Sequence, residues 1–563
     1  MTRPLSIVAL SFAVSCGGGG TEAPPATGPV GQDMLVIAAP SDIGHLLSPV
    51  YEANHDAQVM AMLNFPLVDA DFDCSLKKEP GFATEWAWNE DGTVLSMTLR
   101  DDLKFSDGHP MTAEDIAFTY ELIADPVVAS PRVSSIERLT ADGRPRVIDA
   151  THIEWHFTQA YDRDTQISHV GLATMPKHVL ESADRASLRG HPYNTAPLSS
   201  GPWRMAEHSP NERIVLEPNP DFSGPESWRP HLKRVVFQII PDYNTRLLKL
   251  EAGEVDLMEQ VQVADADRLR TSHPEIRLVR RGWRSMEYIG WNLTNPLFQD
   301  VRVRRALSMS IDAEDMMGKL LTSETGEVYA RRSVGTITPA LCGVHNDDIA
   351  PITRNVDQAR ALFAEAGWTD TDGDGVLDKD GQKFEFRFTT NNSNARRAAA
   401  TVLIQAQLAE VGVKANIEQL ETNTFFEKLR LKEYDAALAG WAAALTVDPS
   451  VIWHGDVTCE GQPEGSGCVP RKYEFNFTGY NNPRVNELID RGMATPIPEE
   501  SAPIFKELQQ VIYDDQPYTF LWWTDEIVAV HSRFEHAEEN INVLSPFGNV
   551  HEWSVPDDKV LRR

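Results

Sequence analysis

Apolar positions in this chain follow two periods, which alternate repeatedly along its length. A period of two marks strands at Leu95, Met97 and Leu99, at Ile153, Trp155 and Phe157, at Phe384, Phe386 and Phe388, and at Val413, Ala415 and Ile417. Short unbroken apolar runs predict further strands over 34–39, 214–216, 235–240 and 434–439, and an aromatic and β-branched run covers 518–530. Helical spacing joins Ile116, Tyr120 and Ile123 behind Thr112, an N-cap with Asp115 at the third helical position. Further helices open at Asp300 (Val303, Ala306 and Leu307 inward) and at the capping box of Asn355, which Gly367 stops. Ile404, Leu408 and Val411 run to Gly412, residues 245–252 run to Gly253, and 46–64 is predicted as one helix. Strand–helix–strand order predicts α/β lobes. At 563 residues the chain is too long for one ordinary domain, so two or three lobes are expected.

The first residues differ from this body. Arg3 precedes a short apolar stretch over 5–14, too short to span a bilayer, and Ala13-Val14-Ser15-Cys16 resembles a bacterial lipobox. Cys16 is therefore expected to carry lipid and to become the mature N-terminus, and residues 17–31, rich in Gly, Pro, Ala and Thr, read as a flexible tether. With 52 Lys and Arg against 83 Asp and Glu, the formal charge of −31 argues against a nucleic-acid partner and for a solvated surface. Cys459 and Cys468 flank a Gly-rich loop that an exported protein is expected to close with a disulfide, while pairing of Cys74 with Cys342 stays open.

Asp370, Asp372, Asp374 and Asp378 stand at positions 1, 3, 5 and 9 of a calcium-loop pattern, with Gly375 at position 6. The pattern makes the loop a candidate for a structural calcium, although Gly381 replaces the bidentate Glu of position 12. His152, Glu154 and His156 share one strand face and invite a zinc reading, but a plain solvent-facing strand accounts for them. Neither a Gly-x-Ser-x-Gly elbow nor a P-loop is present, so a hydrolase is the remote alternative.

One long string carries more information than any of these motifs. Trp86-Ala87-Trp88-Asn89-Glu90-Asp91-Gly92, Leu95-Ser96-Met97-Thr98-Leu99-Arg100 and Phe105-Ser106-Asp107-Gly108-His109-Pro110-Met111-Thr112-Ala113-Glu114-Asp115 follow one another as turn, strand, turn and helix. The string resembles the signature of the family 5 extracellular solute-binding proteins, the peptide, nickel and oligosaccharide receptors of ABC importers. Pro176-Lys177-His178, Ser200-Gly201-Pro202-Trp203 and Ala252-Gly253-Glu254-Val255-Asp256 resemble further hallmarks of that family.

The resemblance implies an α/β, periplasmic-binding-protein-like fold of the large type II kind. Two α/β lobes are joined by a hinge, and an extra domain is inserted early. The expected division is a signal peptide over 1–15, a tether over 16–32, and a first lobe from 33–71, 198–294 and 518–563. The inserted domain covers 72–197 and the second lobe 295–517. The implied function is capture of a peptide by hinge closure, with an oligosaccharide or other polar solute as the alternative. The implied partners are ABC permease and ATPase subunits and a membrane reached through the lipid. A monomer is expected, and no cofactor is required. Trp441, which follows Gly440, is the leading candidate for the cleft, with Tyr288, Trp291, Asn292, Asp448, Trp453, Trp522 and Trp523 as further aromatic and polar candidates. The plainer alternative for about half of these is core packing. Peptide receptors of the family carry an acid three residues after that Trp, and Ala444 stands there in this chain.

Overall fold

The computed structural model describes residues 33–51, 53–70, 78–132, 136, 139, 143–341, 343–392, 394–442, 447–455, 475–541, 545–547, 549–556 and 559. Cys16, Cys74, Cys342, Ala444, Cys459 and Cys468 lie outside them, and with them the expected lipidation site and disulfides.

An eleven-stranded sheet organises the described residues. Its path runs through Lys414–Leu420, Glu385–Asn391, Ala436–Ala442, Ile276–Trp291, Tyr518–His531, Leu257–Met258, Met34–Ala39, Arg234–Ile239, Arg213–Pro218 and Trp203–Ser209, with Ala330–Arg332 paired beside Tyr518–His531. Ala436–Ala439 and Ile37–Ala39 are buried without a break, which explains the apolar runs there, and each of these inner strands has a parallel neighbour. One half has a core around Leu35, Phe237, Leu257 and Val530. The other half has a core on each face of the sheet, one around Trp291, Phe363 and Phe386 and one around Tyr288, Phe477 and Phe505.

Two long strands join the halves. Ile276–Trp291 and Tyr518–His531 run antiparallel from Ile276 opposite His531 to Gly290 opposite Tyr518. Their outer ends pair with strands of different halves, Leu257–Met258 at one end and Ala436–Ala442 at the other. Both long strands therefore belong to both halves, and the crossing falls near 281–285 and 524–526, where the register shifts. The residue divisions at 294 and 517 expected from the sequence lie beyond this crossing.

A separate four-stranded sheet is ordered Ala83–Trp88, Val94–Leu99, His152–His156 and Arg146–Asp149. Leu95, Met97, Leu99, Ile153 and Trp155 meet helix Ala113–Ala124 in its core, as the alternation predicts. Gly92 turns the hairpin with a φ of +68°, a conformation glycine adopts without strain.

The predicted helix over 46–64 is corrected: only Asn54–Leu63 is helical. Pro49 restricts Ser48 before it and has no N–H to donate, so Leu47–Tyr51 closes as a turn onto the Leu47 carbonyl. The Asp56 carboxylate then accepts the Gly44 and His45 N–H groups at 2.7 and 3.1 Å, folding the preceding loop back over the helix start.

Candidate functional site

Strand direction locates the cleft. Ala436–Ala442 runs against Ile276–Trp291 with Ala442 opposite Ser285, so its C-terminal end points at the crossing. Glu385–Asn391 and Lys414–Leu420 are parallel to it and end on the same side. In the other half, Leu257–Met258 runs against Tyr518–His531 and heads towards Ile527, whose carbonyl accepts the Val261 N–H at 2.9 Å. Met34–Ala39 and Arg234–Ile239 are parallel to Leu257–Met258. The parallel strands of both halves thus end facing one another across the middle of the two long strands. Ligands of open α/β sheets bind outside such C-terminal strand ends.

Trp441 sits one residue before the end of its strand and is half-buried. Its ring stacks at 5.4 Å on Phe477 and at 6.0 Å on Tyr288, and Phe475 meets it edge-on. The indole N–H donates to the Tyr518 hydroxyl at 3.3 Å. Tyr288 is buried and stacks on Tyr518 at 3.8 Å, so it braces Trp441 from behind. Burial pushes the Tyr518 hydroxyl up to about 12, leaving it neutral and able to accept this bond across physiological pH.

The remaining candidates sit elsewhere, and their surroundings give the reasons. Trp291 is fully buried against Phe298 and Phe386, with its N–H on the Thr519 hydroxyl at 3.1 Å. Trp453 is buried against Tyr518 and donates to Thr336 at 2.8 Å, and Trp523 is buried in the same core. Asn292 is a clasp: its amide donates to the Lys432 and Tyr434 carbonyls and its oxygen accepts from Thr294. Asp448 accepts the Ser450 N–H at 3.1 Å, just ahead of the short helix Ser450–Trp453. Trp522 is fully buried, and its N–H donates to Glu287 at 2.9 Å.

That last bond leads to a feature the sequence reading missed. Glu287 has no solvent exposure, and its carboxylate accepts from Arg396 at 2.9 and 3.3 Å and from Arg397 at 3.1 Å as well as from Trp522. Burial pushes the Glu287 carboxyl up, and the two guanidinium groups outweigh it, holding the carboxyl below its ordinary value. Two signals in the sequence point here. A lone acid among Met286, Tyr288 and Ile289 needs partners when its strand is buried. Two arginines in the first turn of a helix oppose the helix dipole and need an anion.

The facing half contributes Glu259, just beyond the end of Leu257–Met258. The Gln58 amide donates to both of its oxygens at 3.0 and 3.2 Å. Burial, then the Glu526 carboxylate, push Glu259 up to about 7, against the opposing Arg281 and Gln58. Arg281 itself pairs with Glu526 at 3.1 Å, beside the crossing.

The calcium-type loop has a different geometry. Asp370, Asp372 and Asp374 present carboxylate oxygens within 4.8 Å of one another, the one such group gathered among the described residues. Asp378 does not join them; it accepts the Thr371 N–H and hydroxyl at 2.9 and 2.6 Å. The Lys383 ammonium lies 2.7 Å from Asp372 and 2.9 Å from Asp374 and supplies the positive charge that a cation would bring. The donor set fits a divalent ion only with Lys383 displaced. His152 and His156 each pair with a separate acid, Asp149 at 2.9 Å and Glu154 at 3.0 Å, so the strand face forms no shared metal set.

Residues 77–462 match the family described as bacterial extracellular solute-binding proteins, family 5 Middle. The oligopeptide-binding protein AppA of Bacillus subtilis is 29% identical over 452 residues, covering 79% of this chain and 78% of its own length. The dipeptide-binding protein of Escherichia coli is 24% identical, covering 84% of this chain and 85% of its own length. The structure of Bacillus subtilis AppA in complex with a nonapeptide superposes with a TM-score of 0.72 at 25% identity, covering 93% of this chain and 99% of that one. No helix among the described residues is long and apolar enough to cross a membrane. The two-lobed α/β architecture and the long match agree: this chain belongs to the family 5 extracellular solute-binding proteins, which are transport receptors rather than enzymes.

Proposed function

We propose that this protein is the peptide receptor of an ABC importer, held to a membrane through lipid on Cys16 and working as a monomer. The observation that carries this reading is the convergence of the parallel strand ends of both halves on one crossing, with Trp441 braced at its edge. The names of AppA and the dipeptide-binding protein supply the ligand class. Two long strands run through the crossing, with Ala330 of Ala330–Arg332 paired opposite Thr524 beside them, and bending of the long strands there brings the halves together while leaving each core intact. A peptide that touches both strand-end edges stabilises the closed form over the open one, by the difference in its contacts with the two. Permease and ATPase subunits then receive the closed form. Trp441 supplies an apolar face for side-chain or backbone stacking, and no group in the cleft is required to break a bond. The Asp370–Asp372–Asp374 loop, balanced by Lys383, lies outside this mechanism.

Titration of the protein with a pool of synthetic tri- to nonapeptides, followed by tryptophan fluorescence and chromatography of the peptides, tests the reading. Saturable 1:1 binding with every peptide recovered intact is expected. Trp441→Ala should weaken binding about tenfold or more, the loss typical of a large aromatic anchor. Shortened peptides, or a Trp441→Ala variant that binds as well as wild type, would contradict it.

A further inference from the structure

The ion group around Glu287 is unbalanced. Two guanidinium groups share one carboxylate, and no second carboxylate pairs with Arg396 or Arg397 among the described residues. Glu287 is saturated: Arg396 meets both of its oxygens, Arg397 Nε takes one and the Trp522 N–H the other. The Asn391 amide oxygen accepts from Arg397 Nη1 at 3.1 Å and brings no charge. The group therefore carries one net positive charge on a framework with a fully buried anchor. A partly desolvated excess charge is costly unless an anion completes it.

Among the described residues no acceptor meets Arg396 Nη1 or Arg397 Nη2, and the side chains keep 32% and 12% of their exposure. Their position follows from Gly440, which pairs with Glu287 across the strands. A Cβ on Gly440 would lie 2.3 Å from Arg397 Nη2, so only glycine lets the guanidinium rest against this strand edge. Gly440 immediately precedes Trp441, and Asn391, which holds Arg397, is the last residue of its own parallel strand. The surplus charge thus lies at the strand ends that border the cleft. Guanidinium groups fixed by a second carboxylate are preorganised for the planar, two-oxygen geometry of another.

We propose that Arg396 and Arg397, clamped by Glu287, bind a carboxylate of the ligand at the edge of the cleft and orient it there. Glu287 positions the pair and does not touch the ligand. The inference rests on the peptide reading and adds to it one end of the ligand's orientation.

Three pools of alanine-rich tri- to nonapeptides test it by fluorescence titration of wild type and Arg396→Gln: free C-terminus, C-terminal amide, and C-terminal amide carrying one Asp. Wild type is expected to bind the free-acid pool at least tenfold more tightly than the plain amide. Arg396→Gln should reduce that ratio to below twofold. Recovery by the Asp-bearing amide alone supports the assignment with a side-chain carboxylate as the source. Equal affinity of wild type for all three pools overturns it, as does a preference that Arg396→Gln leaves intact. Should Arg396→Gln fail to fold by circular dichroism, the wild-type comparison decides alone. Failure of every pool to bind overturns the peptide reading and this inference with it, an outcome distinct from equal binding.

Discussion

Asp256 ends the Ala-Gly-Glu-Val-Asp string, and its contacts explain why an acid belongs there. Its carboxylate accepts the Val36 N–H at 3.0 Å and two Arg533 N–H groups at 2.8 and 3.1 Å, while its own N–H donates to the Val36 carbonyl. One residue thus ties the first strand to the chain that returns after Tyr518–His531. Asp256→Asn leaves the buried Arg533 without a counter-charge and should cost about 3 kcal/mol of unfolding free energy, read as a lower urea midpoint at unchanged slope. Glu259 behaves oppositely. Its carboxyl is raised to about 7 in the fold, above its value in the unfolded chain, so the folded state holds an extra proton between the two values. Its contribution is favourable below the unfolded value and is lost as the pH climbs towards 7. Glu259→Gln should therefore match wild type near pH 4.5 and exceed it at pH 8 by on the order of 2 kcal/mol, checked by thermal melts across that range. Neither residue's role is visible locally: Asp256 and Arg533 are separated by 277 positions, and Glu259 depends on Gln58 and Glu526. Glu287 and the Arg396–Arg397 pair did leave a trace, as charges in places where charge is unfavourable without a partner.

At the scale of elements, the signature string proves to be scaffolding. Asp115 accepts the Thr112 N–H and hydroxyl at 2.9 and 3.1 Å with one oxygen and the Lys177 N–H at 2.9 Å with the other. Asp107 reaches the His178 ring at 2.7 Å, and that ring stacks on His109 at 3.9 Å. Two hallmark strings about sixty residues apart in the chain (Asp115 to Lys177 is a separation of 62) are therefore one packed unit. Asp115→Ala removes a helix cap and an inter-segment bond together and should cost about 2 kcal/mol, while peptide affinity measured below the melting range stays within twofold of wild type. Most elements were legible because period and caps agree: helices Val301–Ser310 and Val356–Glu365 start after Asp300 and Asn355, each accepting a backbone N–H at the helix start. The span 46–64 is not one helix because the apolar residues Leu46, Leu47 and Val50 are buried in a turn rather than along a helix, and Pro49 sets that turn. Four of the aromatic candidates lie in the cores for a related reason. Burial of Trp291, Trp453, Trp522 and Trp523 is decided by strands and helices far away in sequence, and aromatic character alone does not separate a cleft wall from a core.

The whole molecule turns on the two crossing strands. Their pairing carries the sheet from one half to the other across the register shift at 281–285, and it brings Trp441, Arg396 and Arg397 from one side towards Glu259 and Gln58 on the other. A second junction lies away from the crossing: the Asp162 and Arg163 N–H groups donate to the Met493 and Pro496 carbonyls at 3.2 and 3.0 Å, linking the segment after the small sheet to the opposite half. The sequence showed the family, because long matching strings report it directly, and its length called for more than one lobe without fixing how many. It did not show which strand ends meet, because that depends on pairings such as Ser285 with Ala442 and Leu257 with Val530. Native mass spectrometry of the protein, unfolded to strip any ligand, refolded and offered a mixed peptide pool, tests the central claim most directly. The account predicts one peptide per protein, seen as a ladder of peptide masses on the intact chain. A protein that stays bare in the presence of the whole pool would contradict it.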